Sequence, residues 1–235
     1  VRVTPLVGDL GQLGTLWPLR DEVASPGYYA VTLGDTGIRA ELTASLRSAV
    51  HRYTFPNGSA PRIAVDLSAG GIDFPGMRTI PTAADIVLVG SRAVQGWLEL
   101  AGMRLYVHVE VGGPATSALW LGDGRGVLAE RRNLTFGAIA PETSEPFGAV
   151  FDLTPAAGSV ALVRVGFSLR SAQQAQRNAQ GTLRRTFDDI LGRTQDLWRN
   201  SLGRLEVVGG HEHQRRTFYS ALYHSLQKPS NWEGE

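Results

Sequence analysis

The chain has 235 residues, 43% of them hydrophobic and 19% charged, with a formal net charge of +1 and no cysteine. The even charge balance argues against nucleic-acid binding and against a membrane-surface role, both of which need a basic excess; the apolar fraction argues against disorder. No run approaches the roughly 18 apolar residues of a membrane span, and disulfides, thiolate metal sites and a cysteine nucleophile are ruled out.

Val1 opens the chain with neither an initiator methionine nor a signal peptide. The first 170 residues read as strands. Tyr28 to Leu33 run into the turn Gly34-Asp35-Thr36-Gly37. Ile38, Ala40, Leu42 and Ala44 then alternate with Arg39, Glu41 and Thr43, the period of a half-buried strand. His51, Tyr53 and Phe55 alternate with Arg52 and Thr54 before Pro56-Asn57-Gly58. Ile63 to Leu67, Ile86 to Val89, Leu105 to Val111, Leu134 to Ile139 and Val160 to Leu169 are further strands. Residues 68–82 and 112–126, rich in Gly and Pro, read as rim loops. Many short strands with no interleaved helix predict an antiparallel β-sandwich.

The period changes after residue 170. Ser171 is placed to cap one helix and Thr182 a second, whose apolar positions Leu183, Phe187, Ile190, Leu191, Thr194, Leu197 and Trp198 repeat at three and four. Gly203 follows its end, and an extended link at Leu205, Val207 and Val208 reaches Gly209-Gly210. A third helix runs from about Glu212 to Gln227, with Pro229 stopping it. The chain stops soon after this amphipathic helix, whose apolar face needs something to pack on, so the expectation is a fragment of a longer protein.

The usual catalytic signatures are absent from this sequence. Gly122-Asp123-Gly124-Arg125-Gly126 lacks the strand-to-helix context of a phosphate loop and reads as a turn. His211-Glu212-His213 lacks the His-Glu-x-x-His spacing that puts two imidazoles on one helix face. Asp21-Glu22 and Asp188-Asp189 are adjacent acids, whereas a glycosidase pair flanks its bond from opposite sides. Asp66 reads as a turn acceptor. Trp17, Tyr28, Tyr29, Trp97, Trp120 and Trp232 could stack on sugar rings or pack in a core, while Trp198 reads as core.

Four segments, in order, resemble glycoside hydrolase family 92, the calcium-dependent exo-acting α-mannosidases. They are Asp21 to Leu33, Ile38 to Ser45, His51 to Pro56, and Phe218-Tyr219-Ser220-Ala221-Leu222-Tyr223-His224-Ser225-Leu226. Residues 68–135 match the family poorly. The resemblance implies a β-sandwich (1–169, incomplete at its start), a helical connector (170–210) and the start of an (α/α)6 catalytic barrel (211–235). It implies an inverting mechanism in which an acid protonates the leaving oxygen and a base activates water. Ca²⁺ would be held by oxygen ligands that, like the catalytic pair, lie beyond Glu235. A secreted, periplasmic or cell-surface location is expected, with mannose-containing glycans and the chain's own C-terminal catalytic domain as partners.

The substrate-binding candidates are Glu22, Tyr28, Tyr29 and Trp17, with the segment from Glu22 to Tyr29 at the pocket edge; the competing reading makes Pro26-Gly27 a structural turn and both tyrosines core. Tyr219, Tyr223 and His224 read as packing on the first barrel helix. The alternative function is a stand-alone, non-catalytic carbohydrate-binding sandwich.

Overall fold

The computed structural model describes residues 1–68, 80–100, 102–124, 126–137, 145–154 and 159–227. The strands are β1 (Arg2–Val7), β2 (Leu19–Ser25), β3 (Tyr28–Leu33), β4 (Ile38–Ala44), β5 (Ser48–Thr54), β6 (Pro61–Asp66) and β7 (Ala83–Val89). They continue with β8 (Ala93–Leu100), β9 (Met103–Val111), β10 (Ala115–Leu121), β11 (Gly126–Leu128), β12 (Asn133–Phe136), β13 (Phe147–Leu153) and β14 (Val160–Ser168). Helices α1 (Ala172–Gln180), α2 (Phe187–Leu202) and α3 (Glu212–Leu226) follow.

Two antiparallel sheets form the β-sandwich, one in the order β1-β6-β13-β10-β11 and the other β12-β7-β8-β9-β14-β5-β4-β3-β2. Because side chains alternate along a strand, Tyr29, Val31 and Leu33 of β3 and Val163 and Val165 of β14 face inward. There they meet Ile63, Val65, Leu119, Phe147 and Phe151 of the smaller sheet. The smaller sheet is apolar on its outer face too. Trp120 and Val150 pack there under Leu6, Leu10 and Leu13, the last two from a short 3-10 turn and its end.

The region 112–126, expected as a rim loop, instead contains β10, paired along its length with β13 and at its end with β11. Its two faces lie in two different clusters, so it lacks the alternation that marks a half-buried strand. Of the Gly122–Gly126 segment, Gly122 to Gly124 turn after β10 and Gly126 opens β11, while Arg125 lies outside the described residues. Of the expected loop 68–82, residues 69–79 lie outside the described residues, as do Pro229, Trp232 and the end of the expected strand at Ile139.

The outer face of the larger sheet carries α1 and α2. Ser171 caps α1, accepting the Gln174 N–H at 3.1 Å. The expected cap at Thr182 is corrected: its hydroxyl donates to Ala179 O at 2.9 Å, closing α1. Thr186 is the cap of α2, exchanging bonds with Asp189 in a capping box. Leu183 therefore lies outside the helix. Phe187, Ile190 and Leu191 pack with Tyr28, Val50 and Leu162 on the sheet's outer face. α3 has no buried residue.

Candidate carbohydrate-binding edge

β2 is the last strand of the larger sheet, and all seven of its residues are exposed. Its pairing with β3 shifts register between Arg20 and Val23, where Asp21 adopts a φ of 50°. A bulge like this twists an edge away from further pairing and re-aims its side chains. Arg39 secures the bulge by donating to Asp21 O at 2.8 Å.

The bulge brings Glu22 to Tyr29. The Tyr29 hydroxyl donates to Glu22 Oε1 at 2.7 Å, and this bond pushes the phenol pKa up. The ring of Tyr29 leans on the central core while its hydroxyl reaches the rim. Tyr28, its neighbour in sequence, points to the other face, as strand alternation requires. Its hydroxyl donates to Glu41 Oε1 at 2.9 Å, and its pKa is raised first by burial and then by that carboxylate. Trp17 is half-buried at the opposite end of β2, next to Pro18, whose carbonyl accepts from Gly34 at 2.7 Å. The structure thus joins Glu22 to Tyr29 and separates both from Tyr28 and Trp17.

At the other end of the β2–β3 hairpin, Gly27 (φ 81°) turns the chain against α2. A Cβ there would stand 2.6 Å from Thr194 Cγ2 and 3.2 Å from Trp198. Trp198 packs on Tyr223 of α3, ring centroids 4.8 Å apart. Tyr219 holds the extended link, donating to Leu205 O at 3.3 Å and accepting from Val207 N–H at 3.4 Å. Between the hairpin and α3 lies a cavity of about 380 Å³, lined by Pro26, Arg216, Tyr219, Tyr223 and His224 among others.

Sequence reasoning missed the network beneath Tyr28. Glu41 and Arg52 are direct partners across β4 and β5. Arg52 donates Nε and Nη2 to the two Glu41 oxygens at 2.7 Å each and Nη1 to both Asp188 oxygens at 3.0 Å. It also covers the Phe187 ring at 4.3 Å. The Arg52 hydrogen bond holds the Glu41 carboxyl below its ordinary range. Opposite charges on the wet faces of adjacent predicted strands were the available signal for this pair, whereas Asp188 lies 136 residues away.

Of the other candidates, Trp120 is fully buried and donates to Ala149 O at 3.3 Å. Trp97 lies under Arg104 at 4.3 Å, and Asp66 accepts from Ser68 N–H at 3.0 Å as a turn acceptor does. His211 is the N-cap of α3. Among the described residues no group of three or more His, Asp or Glu is placed to hold a metal ion, so the donor set present does not fit a calcium site. Nor is any described helix long and apolar enough to cross a membrane. Chemically, the edge offers a carboxylate acceptor and a phenol hydroxyl side by side.

The sequence pattern of the glycosyl hydrolase family 92 N-terminal domain matches residues 2–168, and that of the family 92 catalytic domain matches residues 174–235. An uncharacterized secreted glycosidase of Arthroderma benhamiae is 25% identical over 229 residues, covering 90% of this chain and 29% of that protein. A family 92 inverting mannosidase of Bacteroides thetaiotaomicron superposes with a TM-score of 0.77 at 25% identity, covering 97% of this chain and 29% of that one. A family 92 α-mannosidase of the same organism shares the fold at 20% identity, with a TM-score of 0.79 over 97% of this chain and 31% of that one. The chain thus spans about three-tenths of the length of these relatives. With the N-terminal-domain pattern running through the whole sandwich, the chain belongs to glycosyl hydrolase family 92.

Proposed function

We propose that this chain is part of an α-mannosidase that removes terminal α-linked mannose from glycans with inversion, and that it supplies the sandwich scaffold and one rim of the sugar site. The carrying observation is the Tyr29–Glu22 pair, held at 2.7 Å on an open, bulged edge of the family's N-terminal domain. A carboxylate already engaged by one phenol keeps free lone pairs for sugar hydroxyls. Trp17, at the far end of β2, and Tyr28, on the opposite face beside Glu41, are kept as candidate sugar contacts apart from this pair. The acid, the base and the calcium ligands are expected beyond Glu235. The mannosidases among the solved relatives and the secreted relative support an exported enzyme of this kind. The domain division expected from the sequence, 1–169, 170–210 and 211–235, is kept as part of this reading.

The test uses the full-length parent protein. Hydrolysis of an aryl α-mannoside, followed by NMR of the released anomer, should show inversion. Glu22→Gln and Tyr29→Phe should each raise KM about tenfold, the worth of one hydrogen bond to a charged group, with kcat little changed. Unchanged KM in both variants refutes the rim assignment; no α-mannoside hydrolysis by the parent refutes the activity.

A further inference from the structure

The outer face of the larger sheet holds another concavity, between β5, β14 and the link of residues 182–186 that leads into α2. Its volume is about 450 Å³, and Arg52, Arg164, Arg184, Arg185, Phe187 and Asp188 line it among others. Four of its ten lining residues are arginines. The surrounding stretch 164–204 carries eight arginines against three aspartates, in a chain whose net charge is only +1. The balance of the whole molecule therefore hides a local cationic excess.

The arginines are not equivalent. Arg52 is committed: it bonds both Glu41 oxygens and both Asp188 oxygens, so the one acid of the groove is already matched. Arg164 is different. It rises from the middle of β14, is only 6% exposed, and donates Nη2 to the Arg185 carbonyl at 3.3 Å. Its Nε has no hydrogen-bond partner, and no carboxylate of a described residue lies within salt-bridge distance of it. Glu110 stands opposite it across β9 but is turned to His108 at 3.6 Å. Burial accordingly pushes the Arg164 pKa down, with Glu110 opposing only in part. A buried guanidinium whose one nearby carboxylate is turned to another partner is costly to keep. Arg164 lines the groove, where the exposed Arg184 and Arg185 add two more charges.

We propose that this groove binds a dianionic oxyanion, phosphate or sulfate, free or esterified to a sugar, with Arg164 at its floor and Arg184 and Arg185 at its mouth. A tetrahedral oxyanion accepts the forked N–H donors of several guanidinium groups at once. A dianion also matches the charge of three clustered guanidinium groups better than one carboxylate would. The volume admits a phosphorylated monosaccharide as well as the bare ion. This inference stands apart from the mannosidase reading, since none of its residues belongs to the Glu22–Tyr29 edge.

The experiment is isothermal titration of the full-length parent with inorganic phosphate and, separately, with glucose 6-phosphate, at constant ionic strength. Saturable 1:1 binding is expected. Arg164→Met should abolish it, and Arg184→Ser/Arg185→Ser, at exposed positions that folding does not depend on, should weaken it at least about tenfold. Arg170→Ser, an exposed arginine outside the groove, should leave it unchanged. Tighter binding of the sugar phosphate assigns the site to an esterified group, and equal affinity assigns it to the free ion. The absence of saturable binding for both probes, or wild-type affinity in the Arg184/Arg185 double variant, overturns the proposal.

Discussion

Gly166 lies towards the C-terminal end of β14 on the face that α1 crosses. A Cβ added there would stand 2.5 Å from Ala179 N and 3.0 Å from Ala179 Cβ, and closer still to Ala175 O. The first and last are backbone atoms of a helix and cannot rotate away. The helix cannot retreat freely either, because Asn178 Nδ2 donates to Phe167 O at 2.7 Å and Ser171 fixes its start. Gly166→Ala must therefore lift α1 by about 1 Å. One extra buried methyl in a packed layer costs about 1–3 kcal/mol, and weakening the Asn178 bond adds about 1 kcal/mol. The opposing gain, a stiffer unfolded chain, is only about 0.4–1 kcal/mol. The clash wins, for a net loss of about 2 kcal/mol and a Tm lowered by about 4–8 °C in a domain of this size. Differential scanning calorimetry measures the shift, and hydrogen exchange should quicken over residues 172–180. An unchanged or raised Tm would refute the argument that this glycine is there to let the helix approach.

Arg52→Met removes the cation shared by Glu41 and Asp188. The Asp188 limb is largely exposed and contributes little, so the loss, about 2 kcal/mol by urea titration at pH 7, comes mainly from Glu41. Because Glu41 is held below its ordinary pKa, the stability it contributes is present above that ordinary value, about 4.3. It is lost as pH falls through the depressed folded value, so wild type and variant should converge in acid. A constant difference at all pH would count against the pair. His51, whose Nδ1 lies 2.8 Å from the Tyr53 hydroxyl, is held by burial at a pKa of about 4. The unfolded chain takes up that proton near pH 6.5 and the folded chain does not, so its stabilising share falls between about pH 6.5 and 4 and is steady above. His51→Gln should flatten the acid limb of a stability–pH curve over that window; an identical limb would exclude His51 as its source.

Several elements are legible in the residue pattern itself. β4 and β5 alternate cleanly because one face meets the core and the other meets α2 and solvent, and the cap at Ser171 and the end of α2 at Gly203 follow local chemistry that needs no partner. β1, β10 and β13 are not legible in that way. Small or apolar residues fill both faces of the last two, since the smaller sheet is covered outside by Leu6, Leu10 and Leu13 as well as inside. Thr182 and Thr186 are both plausible caps in sequence, and only the packing of Phe187 and Ile190 on Val50 selects the later one.

The candidate site divides the same way. The residue types Glu22, Tyr28 and Tyr29 could be picked out from the sequence, but strand alternation and the bulge at Asp21 decide that Tyr29 meets Glu22 while Tyr28 meets Glu41 on the far face. Residue order was enough for the fold class, the switch from strands to helices near residue 170 and the family, because periodicity and short motifs are local. Which side chains meet depends on how the elements pack. Arg52 and Asp188 lie 136 residues apart, and Arg164 meets the Arg185 carbonyl across a turn of the chain, so both contacts exist only once α2 and the link before it have packed on the sheet.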